Sequence, residues 1–109
     1  MPTEIHTQAE FNNIVQGAPD GQLTVIDCYA TWCGPCRAIS PRMVQFESEY
    51  PTVKFFKMDI DKFQEFANIM GIRAMPTFFF YIGSQKVDEV VGANVTEIKG
   101  KIEMYSRDD

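Results

Sequence analysis

Two cysteines three positions apart, Cys33 and Cys36, enclose a Gly-Pro pair in the segment "YATWCGPCRAIS", residues 29 to 40. Thiols at this spacing can close a reversible disulfide or supply half of a tetrahedral zinc site. At the start of a helix the two side chains take neighbouring positions, which makes the disulfide feasible. Free backbone N–H groups and the helix dipole stabilise a thiolate there, most of all at Cys33, nearer the end. Gly34 allows a tight entry, and Pro35 suits the first turn, where a missing N–H costs little. Zinc needs two further ligands, and the candidates are Cys28 on the preceding apolar run and His6, the single histidine. Without a second cysteine pair, redox chemistry is the better reading and no metal is expected.

The elements that must hold this pair follow from caps and periodicity. Thr7 with Glu10, Asp61 with Gln64 and Asn94 with Glu97 each pair a capping residue with an acid or amide three positions on, and each predicts a helix start. Inward faces are expected at Phe11, Ile14 and Val15, at Phe63, Phe66, Ala67 and Met70, and at Val95, Ile98, Ile102 and Tyr105. A further helix is predicted over 34–49, where Cys36, Ile39, Met43 and Phe46 share one face, with a bend at Pro41. Strand signals lie at 23–30, 53–58, 77–82 and 86–91, with a short strand near 3–6. The Gly-Ser turn in "IGSQK" marks an antiparallel hairpin between the last two. The order βαβαβαββα calls for a mainly parallel sheet with helices on both faces and the hairpin at one edge.

With 109 residues the chain is expected to be one domain, 1–109. A net charge of -5 without any cluster of Lys or Arg argues against nucleic acid or an anionic membrane as partner. No apolar run approaches the roughly 20 residues of a membrane-spanning helix. The segment "MPTEIHTQAEF" has neither the basic nor the apolar region of a secretory signal, and three cysteines suit a reducing compartment, so cytoplasm is the expected location.

Several residues around the pair invite two readings. Asp27 interrupts the apolar "LTVIDCYA"; taken alone, it is a carboxylate at a solvated strand end, because buried Asp is rare. Cys28, its neighbour, points to the opposite face of the sheet and reads as a buried, inert small hydrophobe. Trp32 is the single tryptophan; in the loop before a helix its ring is expected beside the site rather than in the core. Pro76 opens the strand "TFFFYI", and since only about 5–6% of X-Pro bonds are cis, trans is the local expectation. The alternating acids of "DIDKFQE" lack the glycine and terminal Glu of a calcium loop and are read as helix capping.

The segment "WCGPC" with the preceding "DCYAT" resembles the active site of the thioredoxin family, and "FKMDID", "GIRAMPTFFFY" and "VVGAN" continue the likeness in order along nearly the whole chain. The resemblance implies an α/β thioredoxin fold, three layers α/β/α, with a central mixed five-stranded sheet and four helices. It implies a protein dithiol–disulfide oxidoreductase in which Cys33 attacks a client disulfide and Cys36 resolves the mixed disulfide. No bound cofactor is implied; electrons come indirectly from NADPH through thioredoxin reductase. The implied partners are that reductase and disulfide-containing client proteins, met by a monomer.

Residue by residue, the resemblance makes Asp27 a buried acid serving as proton relay to Cys36, with Lys57 modulating it. It makes Pro76 cis and opposite the cysteines, and it assigns the docking rim to Trp32, Ala74, Met75, Val91, Gly92 and Ala93. Extended client segments are then expected to pair with the backbone of Met75. Cys28 departs from many family members, which carry an aromatic or other apolar residue there. Tyr29 stands where some carry a second tryptophan, a change expected to affect fluorescence more than chemistry. A module of the same fold that docks partners without turnover is the alternative, and the intact cysteine pair speaks against it.

Overall fold

The computed structural model describes residues 1–106, so the last three residues of the expected 1–109 domain lie outside it. The elements are β1 (Thr3–Glu4), α1 (Gln8–Gln16), β2 (Leu23–Tyr29), α2 (Gly34–Glu49), β3 (Lys54–Asp59), a 3-10 turn (Ile60–Lys62), α3 (Gln64–Met70), β4 (Thr77–Ile82), β5 (Gln85–Val91) and α4 (Val95–Tyr105). The five strands form one sheet in the order β1-β3-β2-β4-β5. β3 runs parallel to β1 and β2, whereas β4 runs antiparallel to both β2 and β5.

The sheet is therefore mixed, as expected: β1, β3 and β2 pair in parallel, and the β4–β5 hairpin adds antiparallel pairings at one edge.

Two capping expectations hold in atomic detail. Thr7 Oγ1 accepts the N–H of Glu10 at 3.0 Å, and Asn94 Oδ1 accepts that of Glu97 at 3.0 Å. The third does not. Asp61 lies inside the 3-10 turn, which Asp59 caps by accepting the Asp61 N–H at 3.1 Å, and α3 begins after Phe63 with no side-chain cap. A competing partner, the Trp32 indole, takes the Asp61 carboxylate. α2 runs unbroken through Pro41.

Hydrophobic burial divides the helices between the two faces of the sheet. Ile39, Met43 and Phe46 of α2 and Ile98 and Ile102 of α4 pack with Val25, Phe55, Phe78 and Phe80. Phe11 and Val15 of α1 and Phe66 and Ala67 of α3 pack on the other face with Ile26, Cys28, Met58 and Phe79. Phe78, Phe79 and Phe80 are at most 1% exposed, so β4 is buried on both faces and its run lacks polar alternation. Each such ring contributes about 1.5–3 kcal/mol by leaving water.

Cys28 faces the α1/α3 side, as the pleat requires. It is fully buried, and burial pushes its thiol far above the ordinary range. Cys28→Ser puts an unpartnered hydroxyl in that place and should destabilise the protein by about 1–3 kcal/mol. Denaturant unfolding checks this, and an unchanged midpoint would show that the hydroxyl finds a partner.

Candidate active site

Cys33 is itself the N-cap of α2, with extended backbone at φ -86° and ψ 112°. Its N–H donates to the Ala30 carbonyl at 3.2 Å, closing the turn that follows β2. Gly34 and Pro35 form the first helical positions, and the Cys36 N–H donates to Cys33 Sγ at 3.2 Å. That contact is a helix cap in which sulfur replaces the usual oxygen, and it directs one of the helix's free donors at the atom that would carry thiolate charge. Cys33 and Cys36 are joined in a disulfide with their Cα atoms 5.3 Å apart. Cys28 stays free, on the other face of the sheet.

The segment before β4 meets the pair. The Met75–Pro76 peptide is cis, in agreement with the resemblance and against the local trans expectation. Cys33 Sγ lies 3.6 Å from the Met75 carbonyl oxygen, and Met75 packs on Ala30, Cys33 and Cys36. Thr77 Oγ1–H donates to the Ala74 carbonyl at 2.6 Å, and the Gly92 N–H donates to the Pro76 carbonyl at 2.7 Å. The latter bond ties the end of β5 to the proline segment. Gly92 adopts φ 97° there, a left-handed conformation that disfavours any side chain.

Val91, opposite Thr77 in the hairpin register, is 55% exposed, and Ala74 and Ala93 are exposed too. Trp32 is 65% exposed, and its indole N–H donates to Asp61 Oδ2 at 2.8 Å. A charge-assisted bond of this kind fixes the ring's direction while its face stays in solvent. Arg37 crosses the loop, donating from Nη1 to the Thr31 carbonyl at 2.8 Å.

Behind the disulfide, Asp27 is buried at 7% exposure, not solvated as its residue type alone suggests. Among the described residues its Oδ1 has no hydrogen-bond partner. Desolvation raises its carboxyl to about 7, opposed by Lys57 and aided by Glu4. A cavity of about 390 Å³ connects this acid to the redox pair, lined by Asp27, Tyr29, Cys36, Arg37, Ser40 and Lys57 among others. Asp27 and Cys36 thus share a space large enough for water to carry a proton between them.

Lys57 sits directly across from Asp27 in the β2–β3 register, yet its Nζ turns to Glu4 Oε1 at 3.9 Å and lies 5.7 Å from the Tyr29 ring centre. The Tyr29 hydroxyl donates to the same Glu4 oxygen at 2.7 Å. Glu4 has no role in the sequence reading, which takes Asp61 as a helix cap and Tyr29 as a change in fluorescence rather than as parts of the site. Tyr29 alone carried a signal, since two residues beyond Asp27 on a strand lies the same face. Among the described residues, no group of three or more His, Cys, Asp or Glu is placed to hold a metal ion, and His6 pairs with Glu10.

A buried disulfide at a helix start, on a mixed sheet with helices on both sides, fits a dithiol–disulfide oxidoreductase of α/β architecture. The thioredoxin family model matches residues 2–104. Thioredoxin-1 of Schizosaccharomyces pombe is 40% identical over 102 residues, covering 94% of this chain and 96% of that protein. Mitochondrial thioredoxin 3 of Saccharomyces cerevisiae, in its oxidised form, superposes with a TM-score of 0.87 at 34% identity over 94% of each chain. The thioredoxin NaTrxh of Nicotiana alata gives 0.89 at 31% identity, over 96% of this chain and 95% of its own. The chain belongs to the thioredoxin family.

Proposed function

We propose that this chain reduces disulfides in partner proteins and is itself re-reduced by a thioredoxin reductase, so that its electrons come indirectly from NADPH. The observation that carries the reading is the placing of Cys33 Sγ, capped by the Cys36 N–H at 3.2 Å and facing the Met75 carbonyl at 3.6 Å. In the reduced protein the Cys33 thiolate attacks one sulfur of a client disulfide, forming a mixed disulfide and expelling the client's other sulfur as thiolate. Cys36 gives its proton to Asp27 through the shared cavity and attacks Cys33 Sγ. The Cys33–Cys36 bond forms, and the client leaves with two electrons and, after protonation, two thiols.

Asp27 near neutrality can both take and return that proton, and Lys57 sets how readily it does so. Trp32, Ala74, Val91, Gly92 and Ala93 form the docking rim. An extended client segment aligns on the Met75–Pro76 backbone, while Gly34 and Pro35 keep the helix entrance stiff. The domain works as a monomer, and its unpaired Cys28 suits a reducing compartment, the cytoplasm.

NADPH oxidation coupled to reduction of a disulfide-containing protein tests this. Turnover is expected only when reductase, chain and substrate are all present. A rate unchanged by leaving out the chain overturns the reading.

A further inference from the structure

Three charged side chains lie in one row across the sheet: Glu4 on β1 pairs in register with Lys57 on β3, which pairs with Asp27 on β2. Neighbouring strands are about 4.8 Å apart, so one ammonium stands between two carboxylates and can serve only one closely. It serves Glu4, at 3.9 Å. Burial favours that choice. Glu4 keeps 27% side-chain exposure and stays charged cheaply, whereas Asp27 must give up nearly all its water to ionise. Tyr29 fixes the outcome, because its hydroxyl donates to Glu4 Oε1 at 2.7 Å while its ring lies beside the Lys57 ammonium.

We propose that Glu4 is a positioning residue for this site: anchored by the Tyr29 hydroxyl, it draws the Lys57 ammonium toward β1 and away from the Asp27 carboxyl. The unpartnered Asp27 Oδ1 is the counterpart of that arrangement. With Lys57 seated on it, Asp27 would be locked as a carboxylate and could no longer hold a proton for Cys36 near neutral pH. The other charged or titratable groups lining this space are, from α2, Cys36 and Arg37, whose guanidinium is occupied by the Thr31 carbonyl; Asp59, two residues beyond Lys57 on β3, accepts the Asp61 N–H instead. The inference rests on Asp27 as the proton relay, but its test reads the carboxyl itself and needs no turnover.

Carbon NMR of the Asp27 carboxyl is followed against pH in the oxidised protein. Glu4→Gln should lower its midpoint by about 1 pH unit as Lys57 swings across. In a Lys57→Met background the same substitution should move it by less than half as much, because only the direct effect of the Glu4 charge remains. Equal movement in both backgrounds, or none in either, overturns the positioning role. Tyr29→Phe should move the midpoint in the same direction by a smaller amount, and an unmoved midpoint overturns the anchoring assigned to Tyr29. Glu4 is half-buried at a sheet edge, so the variants keep the fold.

Discussion

Cys36→Ser should stop the reaction halfway, leaving the chain covalently joined through Cys33 to its client, whereas Cys33→Ser should bring disulfide reduction down to the uncatalysed background. The two sulfurs differ in setting although they are three residues apart. Cys33 caps α2 and receives the Cys36 N–H, so the helix N-terminus favours its thiolate. Cys36 lies within the first turn and lines the cavity shared with Asp27, set back from the helix end that Cys33 caps. Deleting a nucleophile from a covalent mechanism can cost about 10⁶-fold when chemistry limits the rate, which here means disappearance into the background. Serine is itself a good N-cap, so loss of activity in Cys33→Ser cannot be assigned to loss of α2. Non-reducing electrophoresis and mass spectrometry, with a disulfide-containing protein as client, check the outcome. A Cys33→Ser protein that still reduces the client, or a Cys36→Ser protein that never holds it, contradicts these roles.

What the sequence disclosed depended on how far away the deciding partner lay. The caps at Thr7 and Asn94 were legible because donor and acceptor are three residues apart. Asp61 looked the same, but its carboxylate is claimed by an indole 29 positions earlier, and no local rule reveals such a partner. The opposite orientations of Asp27 and Cys28 followed from the pleat, whereas the burial of Asp27 did not, since α2 rather than the strand covers it. The isomer of Pro76 could be inferred only from family resemblance. β1 was expected near 3–6, but its two residues are too few to show which side chain faces the site, and Glu4 escaped notice. The antiparallel pairing of β4 with β5 was legible in the short Gly-Ser turn that joins them, whereas the pairing of β4 with β2, some fifty residues away, has no local signal.

The same buried carboxyl makes the stability of the oxidised protein fall as pH rises from about 4 to about 7. Burial raises Asp27 from its ordinary 3.8 to about 7. Below 3.8 both folded and unfolded chains hold the proton, and the group contributes no difference. Between the two values the unfolded chain is ionised and the folded one is not, so unfolding releases a proton and rising pH favours it. Above about 7 both are ionised, and the folded state bears the whole cost of a nearly dry carboxylate. At about 1.4 kcal/mol for each tenfold change in proton affinity, that cost is about 4 kcal/mol. Asp88, held below its ordinary value chiefly by the Lys101 ammonium, gives a slope of opposite sign, confined to more acid pH. Asp27→Asn keeps the shape and removes the charge. It should match the parent near pH 4, exceed it by up to about 4 kcal/mol at pH 8, and lose the downward slope between. Denaturant unfolding at intervals across that range measures the difference directly, and parallel curves for the two proteins would place the titrating group elsewhere. The variant should also reduce clients more slowly, because the group that makes the folded state less stable at pH 8 is the one proposed to take the proton from Cys36.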